Sequence, residues 1–146
     1  MQVGIAIALV ICEFPRGIMG DKFTLLIADR NRNVRDFLRR EFTADGYAVK
    51  LAKDDRELLQ IIETDVPGDL LILDLDMPYF GGPEILEKLR TLKPSLPVVV
   101  HTFPTDHPVH EAVKSVAAFL EKKGTNIDNL KAVVRAVLQR CYPKRS

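Results

Sequence analysis

The stretch Leu70-Leu71-Ile72-Leu73-Asp74 is the clearest strand signal in the sequence. Four apolar residues follow the turn-forming pair Pro67-Gly68 and end at a carboxylate. A short, continuous apolar run bounded by turn signals is typical of a strand buried on both faces of a parallel sheet. Two other runs have the same character, Thr24–Asp29 and Pro97–Thr102. These three stretches predict the centre of a parallel sheet.

Strand and helix patterns alternate around this centre. Two further strands are predicted at Tyr47–Ala52 and Ala117–Glu121. Five segments with apolar residues at helical spacing follow the five strands, and they contain Val34–Phe42, Leu58–Ile62, Ile85–Leu92, Val109–Val116 and Ile127–Leu138. Repeated βα units imply an α/β, doubly wound (βα)5 fold, in which helices cover both faces of a five-stranded parallel sheet.

Local signals mark where several predicted helices start and end. Asn31 is a candidate N-cap, Asp54-x-x-Glu57 resembles a capping box, and Pro83 suits a first helical turn. Gly46 is predicted to end the first helix. The pattern Thr125-x-x-Asp128 is predicted to cap the last helix.

The composition indicates one domain of ordinary size. The 146 residues are 47% hydrophobic and 28% charged, and the formal net charge is +1. A chain of this length can bury a core without a metal or a disulfide. Because there is no basic excess, we expect no dominant nucleic-acid footprint. Cys12 and Cys141 form neither a CxxC motif nor a metal-ligand spacing, and they are interpreted as idle thiols.

The N-terminal residues 1–22 do not follow the domain pattern. Their apolar run Val3–Cys12 is too short to span a bilayer. It also lacks the positive n-region of a secretory signal. We therefore interpret residues 1–22 as an extension, which is either a pendant strand or helix or the product of an upstream start. In the second case Met19, close before the first strand, would make a natural start.

The predicted domain covers residues 23–141 and is followed by a basic tail, residues 142–146. The basic residues near this end are interpreted as a solvated helix end that favours the helix dipole; they are Arg135, Arg140, Lys144 and Arg145. Since no helix-turn-helix follows, we expect no direct nucleic-acid binding. Since the N-terminal apolar run is too short to span a bilayer, we also expect no membrane contact.

Four side chains suited to phosphoryl transfer stand at the predicted carboxyl ends of strands. Asp29, Asp74 and Thr102 end the first, third and fourth strands, and Lys122 follows the fifth. Ligands and chemistry gather at this edge of open α/β sheets. An ionised Asp can attack phosphorus, and a divalent cation held by carboxylates can neutralise charge. An ammonium and a hydroxyl can bind the remaining phosphoryl oxygens.

Residues from about Phe23 to Cys141 resemble the receiver domain of two-component response regulators. Four segments in the family's order and spacing carry the resemblance: Leu25–Asp29, Leu71–Pro78 with the following Gly81-Gly82, Pro97–Thr102 and Ala118–Lys122. The resemblance implies the flavodoxin-like strand order 2-1-3-4-5. It also implies a phosphoacceptor with at most self-catalysed phosphorylation and dephosphorylation, rather than an enzyme.

The resemblance assigns a role to each site residue. It makes Asp74 the phosphoacceptor, and it gives Thr102 and Lys122 contacts with the phosphoryl group. Mg²⁺ would be held by Asp29, by Asp74 and by the backbone carbonyl of Asp76.

The resemblance also implies partners and a switch. A sensor histidine kinase or a phosphotransfer protein would supply the phosphoryl group, and a downstream protein would bind the fourth helix, fifth strand and fifth helix. Phe119 matches the family's switch aromatic. Phosphorylation would shift a population between inactive and active states. The implied location is cytoplasmic, and homodimerisation is left open.

Three residues depart from the family pattern. Arg30 replaces the second acid of the metal site, which should weaken Mg²⁺ binding; it either pairs with a site carboxylate or points to solvent. Lys123 replaces a proline that usually follows a cis bond, so the direction of Lys122 depends on the bond between them. Phe103 replaces a small residue, where it either shields the site or contacts a partner.

The sequence therefore predicts a receiver domain, either standing alone or cut from a longer protein, that accepts a phosphoryl group on Asp74. The alternative is a receiver-like interaction module that works without phosphorylation. A DxD phosphohydrolase beginning at Asp74-x-Asp76 is less favoured, because that class expects Thr or Val where Pro78 stands. The three histidines lack the companions of a metal site and are interpreted as surface or core residues; they are His101, His107 and His110.

Overall fold

The computed structural model describes residues 23–78, 82–103, 115–123 and 126–145. The elements in these ranges are β1 (Thr24–Ala28), α1 (Arg32–Ala44), β2 (Ala48–Ala52), α2 (Asp55–Ile62), β3 (Leu70–Leu73), α3 (Gly82–Leu92), β4 (Val98–Thr102), β5 (Ala118–Glu121) and α4 (Ile127–Cys141). The segment predicted as the fourth helix lies outside the described residues except at its end, so α4 corresponds to the fifth predicted helix.

The five strands form one parallel sheet in the order β2-β1-β3-β4-β5. This confirms the predicted α/β fold and its flavodoxin-like strand order. The register pairs Ala28 with Leu73, Leu73 with Val100, and Thr102 with Glu121. The carboxyl ends of β1, β3, β4 and β5 therefore lie side by side.

Alternate residues of the apolar strands face opposite sides of the sheet. Leu26, Leu71 and Val100 belong to a buried cluster that also contains core residues of α2 and α3. Ile27 and Ile72 belong to a second cluster, which contains core residues of α1 and α4. Because helices cover both faces, both sets of side chains are buried. This explains why the sequence shows continuous apolar runs instead of alternation.

The helix boundaries largely follow the local signals. The Asn31 side chain accepts hydrogen bonds from the amides of Asn33 and Val34 at the start of α1. After α1, Gly46 adopts a φ of 95°, a conformation that favours glycine, and its amide donates to the Thr43 carbonyl.

The start of α2 also agrees with its predicted capping box. The Asp54 carboxylate accepts from the Glu57 amide at 2.8 Å. The Glu57 carboxylate accepts in turn from the amide of Lys53, one residue before the cap.

The predicted cap of the last helix is wrong. Asn126, and not Thr125, is the N-cap of α4, and its side chain accepts a hydrogen bond of 2.8 Å from the Asn129 amide. An Asn side chain can satisfy this orphan amide as well as a Thr hydroxyl can. The helix therefore begins one residue later than the spacing from Thr125 predicts.

The residues after α4 contact the start of the sheet. The Tyr142 hydroxyl donates to the Asp69 carbonyl, and the Arg145 guanidinium pairs with the Asp69 carboxylate at 2.7 Å. Arg145 also lies over the Phe23 ring, 4.5 Å from its centroid. The predicted basic tail is thus packed against the domain through Arg145. Residues 1–22, including Met19 and Cys12, lie outside the described residues.

No helix in the described ranges is both long and apolar enough to cross a membrane.

Candidate functional site

The sheet delivers four polar side chains to one edge. Asp29 and Asp74 directly follow β1 and β3, Thr102 ends β4, and Lys122 directly follows β5. Backbone hydrogen bonds extend the strands into these positions: the Asp74 amide donates to the Ala28 carbonyl at 2.9 Å, and the Lys122 amide donates to the Thr102 carbonyl at 2.7 Å. Neighbouring strands therefore fix where each functional side chain begins.

The structure brings all four predicted side chains into contact. The Lys122 ammonium (Nζ) lies 2.7 Å from Asp29 Oδ2 and 3.4 Å from Asp74 Oδ2. The Thr102 hydroxyl donates to Asp74 Oδ1 at 3.0 Å. These side chains are almost completely buried. A hydrogen-bonded set in such surroundings interacts more strongly than it would in water.

The two oxygens of Asp74 have different surroundings. Oδ1 accepts hydrogen bonds from the Thr102 hydroxyl and from the Asp76 amide, both at 3.0 Å. Oδ2 is buried and accepts no hydrogen bond from the described residues; its charged neighbour is the Lys122 ammonium. Asp74 is thus oriented through Oδ1, whereas Oδ2 has the Lys122 ammonium beside it.

Hydrogen bonds to both the backbone and the side chain fix the position of Asp29. Its Oδ1 accepts from the Asn31 amide at 2.8 Å, and its carbonyl accepts from the Arg35 guanidinium at 2.7 Å. Burial raises the pKa of Asp29 above its usual value, while hydrogen bonds from Lys122 and Asn31 act in the opposite direction. Because a raised pKa favours the protonated acid, proton binding competes with cation binding at the Asp29 carboxylate.

The two carboxylates offer donors that suit Mg²⁺. This ion is commonly bound by one or two carboxylates and keeps several waters. The carboxylates of Asp29 and Asp74, which lie on either side of the Lys122 ammonium, fit that requirement. Within the described ranges, no three side chains among His, Cys, Asp and Glu are grouped to hold a metal.

Arg30 is exposed, and no ion pair joins it to Asp29 or Asp74 in this part of the structure. Of the two alternatives for its side chain, the structure therefore gives the one that points to solvent. The cation between the carboxylates is instead Lys122. Its bond to Lys123 is trans, as are all described peptide bonds, and its ammonium nevertheless reaches both acids.

Phe103 and Phe119 are partly exposed aromatic residues close to the site residues in sequence. Phe103 follows Thr102, and its ring centroid lies 5.3 Å from the Lys122 ammonium. Phe119 lies on β5, opposite Val100 in the register. Both side chains are more than a third exposed over the described structure. His107 and His110 lie outside the described residues.

Two features of the site, the Arg35 contact and the cavity beside His101, were not predicted from the sequence. Arg35 supports the Asp29 carbonyl; a cation in the first turns of a helix, where the helix dipole disfavours it, could have signalled such a contact. His101 is 8% exposed, and it lines a cavity of about 250 Å³ together with Phe37, Phe103 and Lys122. Burial, and then the nearby Lys122 charge, lower the pKa of His101 to about 4.

Comparison with known proteins agrees with this geometry. The family model described as "Response regulator receiver domain" matches residues 25–135. Response regulator MprA of Mycolicibacterium vanbaalenii is 37% identical over 122 residues, which are 82% of this chain and 52% of that protein. MprA of Mycobacterium leprae is 36% identical with the same coverage. The chain spans about half the length of these curated relatives.

Solved structures agree on the fold. A CheY-like receiver domain protein from Methanospirillum hungatei has a TM-score of 0.76 and 23% identity, and the match covers 83% of this chain and 97% of that one. The response regulator TrrA from Thermotoga maritima, solved in complex with Mg²⁺-BeF, has a TM-score of 0.69 and 26% identity over 79% of this chain and 98% of that one. Receiver domains are signalling domains rather than typical enzymes. This chain belongs to the response regulator receiver family of two-component signalling.

Proposed function

We propose that the receiver accepts a phosphoryl group on Oδ2 of Asp74 from a histidine kinase or a phosphotransfer protein. The observation that carries the proposal is the state of this oxygen. It is buried, accepts no hydrogen bond within the described structure, and lies 3.4 Å from the Lys122 ammonium. The other oxygen of the same carboxylate is fixed by two hydrogen bonds, so Oδ2 is the atom left to react.

The transfer makes one bond and breaks one. Oδ2 attacks the phosphorus of a phosphohistidine, the new O–P bond forms, and the N–P bond breaks as the imidazole leaves. Thr102 and Lys122 would contact the phosphoryl oxygens. Asp29, Asp74 and the carbonyl of Asp76 would hold Mg²⁺, which neutralises charge on the transferring group when bound. That cation is also suggested by TrrA, whose structure was solved with Mg²⁺-BeF.

Phosphorylation would change which groups the buried ammonium contacts. In the present state Lys122 pairs with both acids, and Thr102 donates to Asp74. A phosphoryl group on Asp74 offers both residues new anionic acceptors, so their present contacts would be exchanged. Through Thr102 and Phe119 this exchange would alter the face formed by the fourth predicted helix, β5 and α4. A downstream protein would bind that face. We expect the protein to act in the cytoplasm.

A second function is favoured by the position of the ammonium itself. Lys122 pairs with both carboxylates and offsets one of their two charges, and Arg30 stands where the resemblance implies an acidic ligand. A receiver in this state could bind a partner without phosphorylation. This phosphorylation-independent module is the alternative that the experiment must separate from the first.

Incubation with a small phosphodonor and Mg²⁺, followed by intact mass measurement, separates the two. The proposal predicts the added mass of one phosphoryl group for the native chain and none for Asp74→Asn. Asp76→Asn is the matched control, because it keeps the backbone carbonyl and should still be phosphorylated. A native chain without added mass, or an equal gain in Asp74→Asn, contradicts phosphoacceptance at Asp74.

A further inference from the structure

Phe103 and Lys122 form a contact that the proposed reaction does not by itself require. The Lys122 ammonium lies 5.3 Å from the Phe103 ring centroid, within the range of a cation–π interaction. The same ammonium lies 2.7 Å from Asp29 Oδ2 and 3.4 Å from Asp74 Oδ2. Three side chains from three different strand ends therefore surround one cation.

We propose that Phe103 is a positioning residue, which holds the Lys122 ammonium beside the two carboxylates through the face of its ring. This inference rests on the proposed phosphoryl acceptance by Asp74. It assigns Phe103 a role in phosphoryl uptake that differs from steric cover of the site and from contact with a partner.

The surroundings of the ammonium favour an electrostatic role for the ring. The Lys122 side chain is only 7% exposed, and a desolvated cation interacts with an aromatic face more strongly than a hydrated one. Phe103 itself is 48% exposed, so burial of its own apolar surface accounts for only part of its placement. The contact with the buried Lys122 charge therefore explains an aromatic residue at position 103 better than the packing of the ring does.

Position matters because a lysine side chain is long and has many rotamers. If the Lys122 ammonium is already held near Asp74 before the phosphoryl group arrives, the transfer does not include the cost of ordering this side chain. The Asp29 contact alone would draw the ammonium toward the first strand, since it is the shorter of the two ion pairs. The Phe103 ring adds a third constraint on the position of the Lys122 ammonium. Unlike another carboxylate, the ring carries no net charge that would draw the ammonium away from Asp74.

Isosteric fluorination tests this role. Mono-, di- and trifluorinated phenylalanine at position 103 progressively weaken the negative potential of the ring face and preserve its shape. Phosphoryl uptake from a small phosphodonor with Mg²⁺ should slow stepwise across this series. Phe103→Leu should slow phosphoryl uptake about threefold to tenfold. Phe103→Tyr, which keeps an aromatic face, should retain a rate close to that of the native chain.

Nuclear magnetic resonance supplies a reading that does not depend on phosphorylation. The ring current of Phe103 should shift the Lys122 Cε protons, and this shift should persist in the fluorinated chains and disappear in Phe103→Leu. Persistence establishes that the ring stays in place while its potential changes.

The outcomes separate this inference from the proposed function. A stepwise loss of rate supports it. A native chain that is phosphorylated at a rate indifferent to fluorination, or accelerated in Phe103→Leu, overturns it in favour of steric cover. An unshifted Lys122 resonance in the native chain overturns it as well. A native chain that takes no phosphoryl group refutes the proposed function, and this positioning role with it.

Discussion

The Nζ atom of Lys122 lies 2.7 Å from Oδ2 of Asp29, and both side chains are almost fully buried. The same ammonium reaches Asp74, so one cation pairs with two carboxylates at the sheet edge and offsets one of their two charges. Two buried acids so close together would otherwise repel each other and carry a large desolvation cost. The ion pair therefore stabilises the domain. Its ammonium also occupies the place where a cation would contact a phosphoryl group on Asp74.

Removal of the Lys122 charge should strongly destabilise the domain. Lys122→Met leaves two buried carboxylates without their cation, and we expect the free energy of unfolding to fall by about 3–5 kcal/mol. Urea unfolding at neutral pH measures the loss. Lys123→Met is the matched control, because Lys123 is exposed, and it should change little.

A double variant distinguishes a lost pair from lost packing. Adding Asp29→Asn to Lys122→Met should recover part of the stability, with a coupling of about 1–3 kcal/mol between the two positions. Strict additivity of the two single changes would show that the ion pair does not account for the loss.

Restoring an acid at position 30 should strengthen Mg²⁺ binding. Arg30→Asp changes the local charge by two units and adds a carboxylate, so we expect the affinity to rise about tenfold. Arg30→Gln removes the positive charge without adding a ligand and should give a smaller gain. Isothermal titration with Mg²⁺ measures both, and equal affinities of the two variants would show that position 30 supplies no metal ligand.

The buried imidazole of His101 should make the domain lose stability in acid. Burial lowers its pKa from an unfolded value of 6.5 to about 4, so the unfolded chain binds a proton that the folded chain does not. The stabilising contribution is fully present above pH 6.5 and is lost as the pH falls toward 4. The integrated effect is about 3 kcal/mol at most.

Comparison with His101→Gln isolates this contribution. Urea unfolding of both chains between pH 7 and pH 4 should show a smaller acid loss in the variant. A His101 ring that titrates near pH 6.5 by magnetic resonance would contradict the assignment.

The contacts of Asp69 predict that residues after α4 contribute to stability. The Asp69 carboxylate accepts from the Thr24 amide at 2.7 Å and pairs with both terminal nitrogens of Arg145. Asp69→Ala should lower the free energy of unfolding by about 1–3 kcal/mol, since it leaves these donors without their acceptor. Asp65→Ala, at an exposed position nearby, is the control, and an equal loss in both would refute a specific role for Asp69.

The sequence predicted the sheet and the main site residues because their signals are local. Continuous apolar runs indicate strands covered on both faces, and polar residues at their ends must meet at one edge once the strands are parallel. The meeting of Asp29, Asp74, Thr102 and Lys122 follows from this rule. Their roles in phosphoryl transfer came instead from the family resemblance and stay a proposal.

The features that escaped prediction depend on the reach of single side chains. Neither periodicity nor spacing shows that Arg35 bends back to the Asp29 carbonyl or that Phe103 lies over the Lys122 ammonium. The wrong cap at Thr125 has a simpler cause: Asn126 offers an equally good acceptor one residue later. Such choices are decided by packing between elements, which a single sequence does not contain.

Chemical mapping can identify the residue that carries the phosphoryl group. An acyl phosphate on aspartate is reduced by borohydride to homoserine, which marks the modified residue in the peptide that contains it. After exposure to a phosphodonor and Mg²⁺, we expect homoserine at position 74 and unchanged aspartate at positions 29 and 76. Homoserine at either of those positions, or at none of the three, would contradict phosphoacceptance at Asp74.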